Sequence, residues 1–139
     1  MTENCVFCQI IRGEAPHSKV YEDKTTVAFL SNRPVNLGHT LIVPKKHYEN
    51  IHEISDKEIA HLYVVVKRVA KAVDKAMQPE GIRIVQNNGE AAGQVIFHFH
   101  VHVIPMYHQM PTYHGDVREY AALENDAELI RRFILIDKY

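Results

Sequence analysis

The sequence predicts an α+β fold: a mostly antiparallel sheet with one long helix and a short C-terminal helix, in a single domain over residues 1–139. Three observations lead there. Strand-like runs lie on both sides of one long amphipathic segment, connections in the first half are short, and regular strand–helix–strand alternation is missing. A chain of 139 residues suffices for one core and is short for two. Its 46% hydrophobic and 24% charged residues fall in the globular range.

Lys19 to Tyr21 and Thr25 to Leu30 read as two short strands around Glu22-Asp23-Lys24. Ser31 to Gly38 (SNRPVNLG) is rich in turn formers, and His39 to Val43 is a third strand stopped by Pro44. Ser55-Asp56-Lys57-Glu58 is a capping box. Behind it Ile59, Leu62, Tyr63, Val66, Val69, Ala70, Val73 and Met77 recur at three and four, one apolar face of a long helix that Pro79 and Gly81 end. Ile82 to Gln86 is a fourth strand. A polar loop, Asn87 to Gln94 (NNGEAAGQ), leads into a fifth strand from Val95 to Ile104, closed by Pro105. The C-terminal helix spans about Asp126 to Ile136, with Asn125 as N-cap.

Lys and Arg total 16 against 17 for Asp and Glu, a net charge of -1. Nucleic acid and anionic membrane therefore find no basic field to meet them. No apolar run approaches the roughly 20 residues that span a bilayer. The N-terminal MTENCVFCQI lacks the basic start and apolar stretch of a signal peptide. A soluble, cytoplasmic protein with a small-molecule partner is expected.

Cys5 and Cys8 are the two cysteines, and one pair at that spacing cannot staple a fold of this size. A thioredoxin-like motif would follow a strand, and none can precede residue 5. Metal binding is the better reading, given two further ligands. In FHFHVHVIP, His98, His100 and His102 alternate with Phe99, Val101 and Val103. On a strand, three imidazoles spaced about 6.6 Å apart share one face. Crowded neutral imidazoles need donors, acceptors or a ligand. Two readings compete: a metal centre, or phosphoryl or nucleotidyl transfer with a histidine nucleophile. Asn87, Gly89, Gly93 and Gln94, just upstream, supply amides suited to anionic oxygens, without the Lys-Ser/Thr of a P-loop. Glu90 is the only carboxylate in this loop and strand, which disfavours a carboxylate-rich hydrolytic metal site.

HFHVHVIP resembles the His-φ-His-φ-His-φ-φ signature (φ apolar) of the histidine-triad, or HIT, family. CVFCQIIR at residues 5–12 resembles the family's opening, GHTLIVPKKH at 38–47 its second landmark, and Asn87 with Ala92-Gly93-Gln94 its phosphate loop. The resemblance implies a homodimeric nucleotide-binding hydrolase or transferase, with a five-stranded antiparallel sheet and sheets and helices joined across a two-fold axis. It implies that His100 attacks the α-phosphate and that His102 and His39 bracket it. Asn87, Gln94 and the Val95 amide would hold phosphate oxygens, with Gly93 in the same loop. Val95 stands where relatives often carry Ser or Thr. Ser31 occupies the ribose position, where the family commonly has Asp, and Asn32 a position that often lines the base pocket. Cys5, Cys8, His47 and His98 would bind a structural zinc, and no catalytic metal is required. The leading expectation is cleavage of a nucleoside phosphoramidate or related nucleotidyl conjugate. Dinucleoside polyphosphate hydrolysis and a low-turnover nucleotide-sensing or zinc-binding scaffold are the alternatives. His17, His52 and His61 are expected on the surface or a helix face, and His108 and His114 in a loop.

Overall fold

Pairing register sorts the side chains of the central strands onto two faces. The computed structural model describes residues 2–108 and 117–137; His114 lies outside them. Helix α1 (Val6–Ile11) is followed by β1 (Lys19–Glu22), β2 (Thr26–Leu30), β3 (Thr40–Pro44), α2 (Asp56–Met77), β4 (Gly81–Val85), β5 (Val101–Met106) and α3 (Tyr120–Asp137). The five strands form one antiparallel sheet in the order β1-β2-β3-β5-β4. Directly opposed residues share a face. One face therefore carries Phe29, Leu41 and His102 in a row, and the other Leu30, Thr40 and Val103.

The second face carries the main core. Ala28, Leu30, Ile42, Val101 and Val103 meet Leu62, Val65, Val66, Val69 and Val73 of α2, and Leu123, Ala127, Ile130 and Ile134 of α3. The capping box forms at the start of α2: Ser55 Oγ accepts the Glu58 N–H at 3.2 Å. The Glu58 carboxylate reaches back to the Ser55 hydroxyl and to the Tyr48 hydroxyl. The buried stripe of α2 is rotated from the expected one, because Val65 is buried while Tyr63 is 42% exposed. Gln78, in the left-handed region at φ 50°, caps the helix by donating its N–H to Asp74 O.

Two boundaries differ from expectation. The C-terminal helix begins at Tyr120, six residues before Asp126, and is not short. Asp126 pairs with Arg118 from inside the helix instead of opening it. The fifth strand begins at Val101, not Val95, and continues through Pro105. Residues ahead of Val101 leave the ladder, and the Phe99 N–H donates to Tyr48 O instead. Pro105 is tolerated because β3 has already ended alongside it, and its carbonyl accepts from Asn36 Nδ2 at 2.9 Å.

Helices α2 and α3 cover one face of the sheet, and α1 covers the other. Phe7 and Ile10 pack on Val27, Phe29, Leu41 and Val43 in a second core. Both faces of β2 and β3 are consequently closed, and every residue of those strands is buried. The site lies in this second layer. No described helix is long and apolar enough to cross a membrane.

Candidate active site and metal cluster

The three alternating histidines divide between two clusters. His98 turns to the N-terminal helix, and His100 and His102 turn to His39. Phe7 packs edge-on against both His98 and His100, with ring centroids 5.9 and 5.1 Å away. One α1 side chain therefore sets the spacing of the two clusters.

In the first cluster, donor atoms of Cys5, Cys8, His47 and His98 all lie within 4.8 Å of one another. Cys5 is the N-cap of α1 and its Sγ accepts the Cys8 N–H, which brings both sulfurs to one end of the helix. His98 Nδ1 lies 3.5 Å from each sulfur and 3.2 Å from His47 Nδ1, and Cys8 Sγ lies 3.3 Å from His47 Nδ1. A tetrahedral ion with bonds of 2.0–2.3 Å needs ligand edges of roughly 3.3–3.8 Å, so this donor set fits a divalent metal. His98 is fully buried, and its Nε2–H donates to Pro44 O at 2.8 Å. That bond leaves the Nδ1 lone pair facing the other donors, as a ligating imidazole requires. Burial and the adjacent Cys5 push the Cys8 thiol up to about 11, and a bound dication would reverse that by stabilising the thiolate.

In the second cluster, hydrogen bonds assign the tautomers. Val35 N–H donates to His39 Nδ1 at 3.0 Å, so neutral His39 carries its proton on Nε2. His39 Nε2 lies 2.9 Å from His102 Nδ1 and donates to it, which leaves the His102 proton on Nε2. His100 Nδ1–H donates to His98 O at 2.7 Å, leaving the His100 Nε2 lone pair bare. Burial, then His102 and His100, holds His39 down to about 3. Burial and His100 hold His102 to about 4. Burial also lowers His100, against the opposing bond to the His98 carbonyl. Near neutrality the free site thus holds three uncharged imidazoles, with one bare acceptor nitrogen beside one N–H donor.

The loop before the triad has mixed roles. Gly89 and Gly93 sit at φ 92° and 95°, a region that favours glycine. Gln94, expected to hold phosphate oxygens, is buried with its carboxamide engaged by the loop itself. It accepts the Gly89 N–H at 2.8 Å and donates to Glu49 O and Ile96 O at 2.7 and 3.1 Å. It braces the loop. The Asn87 side chain and the Val95 N–H, by contrast, have no hydrogen-bond partner among the described residues. Val95 itself is 80% exposed. A cavity of about 680 Å³ opens beside it, lined by Val6, His47, Glu49, Val95 and Phe97 among others.

Ser31, half-buried, donates its N–H to His39 O at 2.9 Å, which ties it to the histidine face. Asn32 is exposed, and its carbonyl accepts the Arg118 N–H at 2.8 Å. Nothing in the sequence pattern signalled that contact with the C-terminal arm. His52 is exposed, His61 pairs with Asp23, and His108 pairs with Glu80. His17 lies against Phe29, at the edge of the second core.

Comparison with known proteins gives a consistent result. Over 105 residues the chain is 46% identical to protein hit of Bacillus subtilis, covering 76% of this chain and 72% of that protein. It is 43% identical over 105 residues to an adenylylsulfatase of Arabidopsis thaliana, covering 76% of this chain and 53% of the relative. It is 40% identical over 102 residues to an adenosine 5'-monophosphoramidase of Schizosaccharomyces pombe, covering 73% and 74%. A hypothetical histidine triad nucleotide-binding protein from Sulfolobus tokodaii superposes with a TM-score of 0.91 at 39% identity, covering 96% of this chain and 94% of that one. A Zn-bound histidine triad family protein from Mycobacterium smegmatis superposes with a TM-score of 0.87 at 31% identity, covering 99% and 98%. The HIT domain family model matches residues 12–109, and with these relatives it establishes that the chain belongs to the histidine-triad (HIT) family.

Proposed function

We propose that the protein cleaves nucleoside phosphoramidates or related nucleotidyl conjugates at the α-phosphate, through a nucleotidyl-histidine intermediate. The observation that carries this reading is the bare His100 Nε2, held by the Nδ1–H bond to His98 O, beside the Nε2–H of His102. The phosphoramidase and adenylylsulfatase names of two relatives support the same class, an adenylyl group on a leaving group.

The His100 Nε2 lone pair attacks the α-phosphorus and the bond to the leaving nitrogen breaks. Before that step, the anionic substrate raises the proton affinity of the His39–His102 pair, which takes up one proton at His39 Nδ1 in place of the Val35 N–H bond. His102 Nε2 passes its proton to the departing amine as the His39 Nε2 proton moves to His102 Nδ1, and the pair returns to neutral. Water then attacks the phosphorus and gives a proton to the pair, and the bond to His100 Nε2 breaks to release the nucleoside monophosphate. The Asn87 side chain and the Val95 N–H, neither of them hydrogen-bonded among the described residues, are suited to the phosphate oxygens, while Gly93 and Gln94 keep their loop in shape. A nucleotide lying across the histidine face brings its sugar to Ser31 and Asn32. His98 acts through its carbonyl as a positioning residue.

Zinc is the metal assigned to Cys5, Cys8, His47 and His98. The Cys₂His₂ donor set leaves no open position, as in a structural site. The Zn-bound relative favours it. A two-fold homodimer completes the reading, because β4 ends the sheet with Ile84 47% exposed, an edge that natural proteins cover.

A panel of AMP conjugates with amine, sulfate and nucleotide leaving groups, monitored by intact-protein mass spectrometry, tests the proposal. Turnover of the phosphoramidate with an adenylyl adduct on His100 is expected. Turnover that survives loss of His100 contradicts it. Light scattering should report twice the 16.0 kDa chain mass.

A further inference from the structure

Ser31 lies two residues beyond Phe29 and is bonded to the His39 carbonyl, so it extends the histidine face by one row. Its hydroxyl oxygen already accepts the Arg33 N–H at 3.2 Å. The hydroxyl hydrogen is left to donate. A carboxylate here could only accept hydrogen bonds, as from sugar hydroxyls, whereas this position also offers a donor to an acceptor on the ligand.

The charge around it matches. Residues 31–38 contain Arg33 and no acidic side chain. Arg33 is exposed and makes no ion pair among the described residues. On the other side of the loop, Arg118 donates its N–H to Asn32 O, and its guanidinium neutralises Asp126. This corner therefore presents one hydroxyl donor and one guanidinium that makes no ion pair among the described residues. Dinucleotide sites show the same contrast: an acid takes ribose hydroxyls, and a nearby arginine takes a ribose phosphate.

We infer that the Ser31–Arg33 corner binds a phosphate on the ribose, so the substrate is a nucleotidyl conjugate carrying a second phosphate at its 2′ or 3′ oxygen. The inference rests on the proposed function, which brings the sugar to Ser31. The guanidinium supplies a forked pair of donors to the phosphate, and Ser31 adds a third.

Calorimetric titration of the metal-loaded protein with AMP, adenosine 3′,5′-bisphosphate and adenosine 2′,5′-bisphosphate at fixed ionic strength tests it. At least one bisphosphate should bind about tenfold or more tighter than AMP, the effect of one charge-assisted contact. Arg33→Gln should remove that advantage and leave AMP affinity essentially as it was. Ser31→Asp should invert the preference, favouring AMP. AMP binding as tightly as both bisphosphates, or an advantage that persists in Arg33→Gln, overturns the inference and leaves the nucleotide reading standing. Binding of none of the three overturns the nucleotide reading itself.

Discussion

The main-chain carbonyl of His98 accepts the Nδ1–H of His100 at 2.7 Å, while the His98 ring faces the sulfurs of Cys5 and Cys8. One residue thus belongs to both clusters, by its backbone to one and by its side chain to the other. Two substitutions should separate them. His100→Ala should abolish phosphoramidate turnover while metal content and thermal midpoint stay near wild type. Cys8→Ser should lose the metal and about 3 kcal/mol or more of stability, well beyond the roughly 0.5 kcal/mol of an ordinary surface change. Its turnover should fall as well, because the His98 carbonyl loses its anchor. Metal analysis, thermal denaturation and turnover on the same samples check this, and equal metal loss in His100→Ala would sink it.

His39 and His102 should behave as one unit. The hydrogen bond from His39 Nε2 to His102 Nδ1 sets which His102 nitrogen presents a proton. Each alanine variant should slow conjugates with poor amine leaving groups more than those with sulfate, which leaves without a proton. In a double-mutant cycle the two losses should be far from additive. Independent, additive losses would mean that the pair does not share a proton.

Gly38 should resist substitution for two separable reasons. It sits at φ 96°, and a Cβ there would lie 2.7 Å from Met77 Cγ at the end of α2. Gly38→Ala should cost on the order of 1–3 kcal/mol in chemical denaturation. Adding Met77→Ala should reverse the steric part of that interaction and leave the backbone part. A full cost that persists in the double variant would locate all of the strain in the backbone.

Acid stability should depend on Asp23. Burial works to raise its pKa, but the Tyr21 hydroxyl, His61 and the Thr25 and Thr26 amides outweigh it and bring it to about 2. Arg68 faces the same group through Tyr21. A carboxyl depressed in the folded state contributes stability above its unfolded pKa, and that stability is lost as pH falls through the folded value. For Asp23 the window runs from about 4 to about 2, and the contribution is on the order of 2 kcal/mol. Urea midpoints measured across this window should converge between wild type and Asp23→Asn at the acid end. A constant gap would assign the effect to another group.

Much of this was legible because local rules and tertiary packing agree. The three-and-four spacing and capping box marked α2, and the order of strands around it marked an antiparallel sheet. Metal ligands were legible through family motifs, since Cys5 and His98 are 93 residues apart and no local signal joins them. The division of the triad was hidden because strand periodicity assumes a ladder, and residues 95–100 have none. The internal bonds of Gln94 were hidden for a related reason: a carboxamide in a polar loop looks the same in sequence whether it faces a ligand or braces nearby backbone. Helix α1 escaped because six residues carry too little periodicity. The early start of α3 was readable in Leu123, Ala127, Ile130 and Ile134, whose spacing reaches back past Asn125.

The long separation between Cys5 and His98 sets a timetable for synthesis. The two thiols leave the ribosome first, and at about 5–20 residues per second their imidazole partner His98 follows roughly 5–20 seconds later. Within that interval His47 joins the two thiols, so the chain holds first two and then three of the four donors. His98, just ahead of β5, supplies the fourth donor and closes a loop of 93 residues back to Cys5, so its entropic penalty falls late. Metal capture by all four donors thus waits for the segment that carries His98 and His100: an ion bound by all four belongs to a chain in which that segment has already met the N-terminal helix.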